Sequence, residues 1–450
     1  MANTYLTRTP SSSSNKKTYT FSAWVKPSST TSGVLFSCGT DISNGPLFTI
    51  NFRSDTNIRV EDTISGGTQP INLRTSRLFR DHNAWYHLVV AVDTTQGTAS
   101  DRVKIYVNGE QETSFTSATY PNQNIDTSVN NNHIHAIGAR STSQSGTYYN
   151  GSMSHVHFID GTAYTPSAFG STDSVTGEWQ INTSPSVTYG TNGFFILKDG
   201  NSVTDQSGNS NNFTVGGGTL TNTEDSPSNV FATLNPLHKS LNTDRSFANG
   251  NTYVDLGGTA RVPEVSNLGM TSGKFYAEMK DINGSGGKSR IGITGEAFRY
   301  NDTDWLGSDA YDYGYYSDDG TKANGANETS YGDSWTDGDI IGIAVDLDNL
   351  KIYFSKNGVW QNSGDPTSGA TGTGAAFTLS SPSSTNDGAY FFACGDDNQY
   401  AARRMAWNFG NGYFQTTAVS SAGTNASNNG IFEYDVPTGY TALSTKGLNL

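Results

Sequence analysis

The stretch GDIIGIAVDLDNLKIYFSKNGVW, Gly338 to Trp360, decides how this chain folds. Ile341, Ile343, Val345 and Leu347 recur at every second position and so share one face of an extended segment. Ile340, Gly342, Ala344 and Asp346 share the other. Asp348-Asn349 supplies a turn, LKIYFS runs back, and Asn357-Gly358 turns the chain again as a type I′ hairpin does. The stretch reads as a β-meander. Four acidic residues, Asp337, Asp339, Asp346 and Asp348, crowd one end of it. Paired catalytic carboxylates need two side chains facing one cleft, about 5–9 Å apart, and the period of two puts Asp346 and Asp348 on one face. Asp-Gly-Asp and Asp-Asn are equally what strand ends and turns select. These residues are read as turn chemistry.

The alternation recurs elsewhere. YTFSAWV places Tyr19, Phe21, Ala23 and Val25 on one face, with Thr20, Ser22 and Trp24 on the other. WYHLVVAVD (Trp85 to Asp93), VKIYVNGE with its Asn108-Gly109 turn, HIHAIGA from His133 and SMSHVHFIDG ending at Gly161 continue the pattern. Composition agrees with it. Among 450 residues, 34% are hydrophobic and 15% charged, with 50 Gly, 23 Tyr and 22 Phe. That is the make-up of many short strands joined by tight turns, without the Ala, Leu, Glu and Lys runs of long helices. No heptad stretch occurs. The expected fold class is all-β: two tandem antiparallel β-sandwiches, a jelly roll followed by a second sandwich.

Net charge is −14, unevenly placed: residues 1–224 hold 13 Lys+Arg against 16 Asp+Glu, and residues 225–450 hold 14 against 25. An acidic surface repels phosphate backbones, so nucleic acid is not an expected partner. Cys38 and Cys394 are the only cysteines, which excludes a disulfide framework. The start, MANTYLTRTPSSSSNKKTYTF, has no apolar signal-peptide core, and no run reaches membrane-spanning length. The reading is of a soluble protein made in a cytoplasm, without membrane insertion.

Two resemblances attach to these motifs. FSAWVKPSS, NAWYHLVVAVD, VKIYVNGEQ, HAIGAR and YNGSMSHVHFIDGTAYTPSAFG, in that order, resemble the LamG-like (concanavalin A-like) jelly roll in the form common in bacteriophage structural proteins. TNGFFILKDGNSVTDQSGNSNNFTV looks like the usual extension of that module, giving a first domain over residues 1–223. EDSPSNVFATLNPL, Glu224 to Leu237, opens a connector over 224–249. FYAE, IGITG, YGYYSDDG, WTDGDIIGIAVDLDNLKIYFSKNGVW, YFFACG and WNFGNGYF then resemble the SPRY domain, over 250–415. Residues 416–450, with IFEYDVPTGYTALSTKGLNL, look like the C-terminal tail frequent in such phage proteins. The resemblance implies loop-mediated partner binding and no enzyme activity.

Three features bear on a functional site. Glycosidases of the concanavalin A-like fold resemble one another through an E-x-D-x-x-E strand; the only E-x-D here, Glu433-Tyr434-Asp435, lacks the second Glu. G-x-S-x-G, G-x-x-x-x-G-K and H-E-x-x-H are absent from the sequence. Four of seven histidines form H-x-H pairs, His133 with His135 and His155 with His157, and residues two apart on a strand share a face. Each pair therefore offers two ligands to a transition metal if the strands adjoin; the alternative is polar strand positions with Ile134, Val156 and Phe158 turned inward. In Tyr300 to Gly320, Trp305, Tyr311 and Asp312 are the loop candidates for stacking on a sugar or holding a partner or Ca²⁺. Tyr313 and Tyr315 are expected in the core.

Taken with the resemblance, the expectation is a non-enzymatic phage virion surface protein, tail- or fibre-associated, binding host-surface glycan or receptor. The alternative is a capsid or tail decoration protein contacting other virion proteins. Homo-oligomerisation is expected in either case.

Overall fold

The computed structural model describes the chain except residues 1–2, 29–31, 41–42, 44, 83, 142–146, 199–202, 239–244, 258–262, 284–287, 298–303, 397–402 and 450. It divides into two compact units, Met1–Asn222 and Thr223–Leu450. The described residues contain strands and short 3₁₀ turns and no α-helix.

In the first unit an eight-stranded antiparallel sheet runs in the spatial order Phe115–Thr119, Ile71–Thr75, Ile58–Thr63, Leu47–Phe52, Gly33–Gly39, His135–Ile137, Tyr5–Arg8, Thr214–Gly217. A six-stranded sheet runs Phe194–Ile196, Gly151–Asp160, Thr18–Pro27, Tyr86–Asp93, Val103–Val107, Glu110–Gln111. Strands far apart in sequence lie side by side, as in a jelly roll. The inner faces meet in one core that includes Tyr19, Phe21, Ala23 and Val25 against Phe36, Phe48 and Ile50. The outer face of the six-stranded sheet is also buried. Segment 162–190 crosses it, packing Tyr164, Phe169, Val187 and Tyr189 on Val89, Ala91, Tyr106 and Ile159.

The second unit repeats the layering with different strand order. Its larger sheet runs Ser246–Ala248, Tyr253–Asp255, Arg404–Asn408, Lys274–Asn283, Ile340–Asp346, Lys351–Lys356, Val359–Trp360. The facing sheet runs Glu264–Val265, Phe391–Gly395, Arg290–Thr294, Asp312–Tyr316, Thr321–Asn324, Asn327–Ser330. Ile341, Ile343, Val345 and Leu347 join Tyr313, Tyr315, Phe392 and Trp407 in the core, as the meander's alternation requires. Residues expected as connector and tail are instead integral to this unit. Phe231, Phe432, Val436, Tyr440 and Ala442 cover Tyr276, Ala344 and Tyr353 on the sheet's outer face. Thr441–Ala442 adds a short parallel strand beside Lys274–Asn283.

Candidate functional site

The acidic end of the meander is built as turn chemistry. Asp346 ends its strand, buried, where it accepts the N–H and side-chain amide of Asn349 and pairs with Lys274 at 2.9 Å. Asp348 accepts Gly273 N–H at 2.8 Å. Asp339 accepts Thr336 N–H and Asn357 Nδ2–H and pairs with Lys356 at 3.3 Å.

The histidine pairs are separated by the core, which corrects the chelating arrangement. His135 faces inward from the eight-stranded sheet, 6.0 Å from the Phe36 ring and 6.5 Å from Phe158. Its Nδ1–H donates to the His133 carbonyl, and burial pushes its pKa down to about 4. Ile134, expected inside, is 40% exposed, and His133 lies just outside the strand. In the other sheet His155 has φ +48° and interrupts the register between Ser154 and His157. His157 stacks on Phe195 at 3.9 Å and its Nδ1 meets the Tyr189 hydroxyl at 2.9 Å. Among the described residues, no three His, Cys, Asp or Glu side chains come together as a metal ion requires.

The loop candidates differ in exposure. Asp312 opens a strand opposite Thr294 and is fully buried on the face away from Tyr313 and Tyr315, accepting the Thr294 hydroxyl at 2.6 Å. That corrects its placement as a ligand residue, because the register hands its carboxylate to the neighbouring strand. Tyr311 is half-buried against the core. Trp305 is half-buried with the Arg290 guanidinium 5.5 Å from its ring centre; the same guanidinium lies 4.8 Å from Tyr316. Arg290 also donates to the Asp396 carbonyl. The guanidinium, itself buried, covers one face of the indole.

A polar surface that sequence patterning did not single out lies on the eight-stranded sheet. Ile58, Val60, Ile71, Leu73, Phe48 and Ile50 point into the core, so Arg59, Glu61, Asn72, Arg74, Thr49 and Asn51 point away from it. Arg59 sits directly across from Arg74 on one side and Asn51 on the other. Arg59 Nε donates to Asn72 Oδ1 at 3.0 Å and Nη1 pairs with Glu61 at 2.8 Å. Arg74 Nε donates to Asn57 Oδ1 at 3.0 Å and its Nη2 pairs with Asp55. Burial lowers the Arg59 pKa; Glu61 raises it, while Arg53 and Arg74 lower it, so the three guanidinium groups feel one another. Asn51 gives an amide proton to Thr49 and has no hydrogen-bond partner on Oδ1. The signal was present as alternation in IRVED and INLRT, but pairing Arg59 with Arg74 requires the strand register.

Comparison with known proteins agrees with this architecture. Residues 2–166 match the concanavalin A-like lectin/glucanases superfamily and residues 274–394 match the SPRY domain. The chain is thus a tandem of β-sandwich domains, LamG-like (concanavalin A-like) at the N-terminus and SPRY at the C-terminus. Among curated relatives, the Ran-binding proteins 9/10 homolog of Drosophila melanogaster is 38% identical over 114 residues, 24% of this chain and 12% of that protein. The chain therefore spans about an eighth of the length of that relative. Among solved structures, a human SPRY domain aligns with TM-score 0.26 and 18% identity, covering 35% of this chain and 90% of its own. The heptameric SAP-like pentraxin of Limulus polyphemus aligns with TM-score 0.28 and 16% identity, covering 36% of this chain and 72% of its own.

Proposed function

We propose that this protein is a non-enzymatic surface component of a bacteriophage virion, a tail- or fibre-associated adhesin that holds host-surface glycan or another receptor. The observation that carries the reading is the polar outer face of the eight-stranded sheet, with amide and guanidinium groups presented in a row on a lectin-type sandwich. Such groups suit hydroxyl-rich ligands, and many copies on one particle, as a homo-oligomer, turn weak single sites into firm attachment. The phage assignment is supported by the resemblance of residues 1–223 to the jelly roll common in phage structural proteins.

Groups that catalysis would use have structural employment. Asp312, Asp346 and Glu278 are buried and hydrogen-bonded within the fold. The Cys38 thiol donates to the Ser128 carbonyl, and burial raises its pKa well above the ordinary value, away from the nucleophilic thiolate.

Half-buried Trp305, backed by the buried Arg290 guanidinium, favours a second reading for the SPRY half, docking on a protein partner, since aromatic side chains anchor such interfaces. The matched relative is itself named for Ran binding. In the virion this half would attach the adhesin to other virion proteins, or, in the alternative reading, make the whole chain a capsid or tail decoration. Saturable retention of the purified chain on intact host cells and on their isolated surface polysaccharide is the expected result, with no loss under EDTA. No retention on a host that the parent particle infects, with the protein immunolocalised in many copies over the capsid, would replace the adhesin by the decoration protein.

A further inference from the structure

A chain of net charge −14 gathers positive charge in one place on its first unit. Arg59 and Arg74 are cross-strand partners on the outer face of the eight-stranded sheet. Like charges set directly opposite each other repel, and here Glu61 and Asp55 each neutralise one of them. Arg53, one residue past the end of the Leu47–Phe52 strand, adds a third guanidinium close enough to Arg59 to lower its pKa. Three guanidinium groups against two carboxylates leave an excess of positive charge. The neutral groups around them complete a mixed lining: Asn72 and Asn57 accept from the arginines, Gln69 donates to Glu61 at 2.8 Å, and Asn51, only 7% exposed, keeps Oδ1 without a hydrogen-bond partner.

We propose that this face binds an acidic polysaccharide, its carboxylates on Arg53, Arg59 and Arg74 and its hydroxyls on Asn72 and Glu61. The inference rests on the glycan-binding reading above and narrows it to anionic chains. Charge complementarity selects this occupant. The planar guanidinium fork matches a carboxylate through two parallel hydrogen bonds, whereas a neutral glycan would leave the excess charge unmatched. Sheet strands also fix these side chains at regular intervals, which suits a ligand with a repeating unit. The acidic remainder of the molecule repels a polyanion, and at physiological salt that repulsion fades within about 8 Å, so the local row decides.

The test uses the full chain on immobilised polygalacturonate, neutral dextran and polyglutamate. Arg59→Gln/Arg74→Gln is compared with Lys16→Gln/Lys104→Gln, which removes the same charge elsewhere. Thermal midpoints of both are measured, and Arg53→Gln replaces the double variant if that one melts early. Expected are retention on polygalacturonate that weakens with salt, little on dextran, and a loss of about tenfold or more in the arginine variant alone. Equal binding by the arginine variant, equal weakening of the lysine variant, or equal retention on polyglutamate each overturns the inference. Retention of host polysaccharide or dextran in preference to polygalacturonate overturns it while leaving the adhesin intact. Binding to no polysaccharide and to no host cell sinks both.

Discussion

The two sandwiches differ in motif and strand order, yet each covers one outer sheet face with a later segment of its own chain. Each seats that segment on an Asn-Gly hairpin. In the first unit Asn108 and Gly109 take φ +49° and +84°, Asn108 Oδ1 accepts His87 N–H, and the Trp179 ring lies 2.5 Å from where a glycine side chain would begin. In the second, Asn357 and Gly358 take φ +49° and +79°, Asn357 Oδ1 accepts Ile340 N–H, and the Tyr434 ring lies at 2.6 Å. Only glycine permits both the left-handed backbone and the approach of the ring.

The fastenings are chemically opposite. Trp179 Nε1–H donates to His87 Nδ1 at 3.0 Å, and His87 stacks between Trp24 and Trp179 while its Nε2–H meets Ser22 Oγ. This clasp is neutral and aromatic. The second hangs on the Glu278 carboxylate, which accepts Glu433 N–H and Tyr434 N–H at 2.9 Å, the Tyr276 hydroxyl and Asn408 Nδ2–H. One architectural demand is met once by ring packing and once by a buried acceptor.

The comparison breaks most readily at Glu278. Glu278→Ala strands two backbone donors under the tail and is expected to cost about 3 kcal/mol or more. Hydrogen exchange would accelerate across 429–445 and leave 162–190 unchanged; equal acceleration in both would mean the fastenings are not independent.

Acid comes next and separates the two by sign. Burial holds His87 down at about 3, below an ordinary histidine. Its contribution is thus complete above about pH 6.5 and is lost as pH falls toward 3. Burial raises Glu278 to about 7 against its four donors, so that contribution is complete below about pH 4.5 and is lost as pH rises through 7. Lowering pH from 7 to 4 should therefore loosen 162–190 and not 429–445. Asp62, raised by burial to about 7 in the first core, acts opposite to His87 on global stability, so local exchange is the readout.

Trp179→Ala should cost ~2 kcal/mol from a half-buried ring and expose 162–190 alone. The smallest effect belongs to Asp348→Ala, a turn carboxylate outside either clasp. About 0.5 kcal/mol is expected in denaturant titration of the second unit, with neither segment changed.

Much of the architecture was legible. Alternation in YTFSAWV and GDIIGIAVDLD marks the inward faces correctly, and both Asn-Gly turns fall where they were read. The straps were not legible, because the faces they cover look like solvent faces. Thr20, Ser22 and Trp24 are polar or amphipathic by type, yet all three are buried. The unexplained polar wealth of 416–450 similarly hid Phe432, Val436 and Tyr440. For the candidate site, His155 and His157 both lie against Phe195, but the two H-x-H pairs fall on strands of different sheets, which only the topology reveals. His135 lies on a strand of only three residues, too short for its phase to be read. Asp312 needed the pairing with Thr294 to be seen as structural.

The hairpins that seat the straps also bear on a chemical weakness of their own sequence. An asparagine before glycine is where chains lose side-chain ammonia, because the unhindered glycine nitrogen reaches the asparagine carbonyl carbon. In both turns that carbonyl is tethered to a strand N–H, at 2.8 Å in each case, and an aromatic ring lies against the glycine. Ring closure there must first undo a strand end and lift a strap, so chemical decay is delayed at the two points where it would open the sheets.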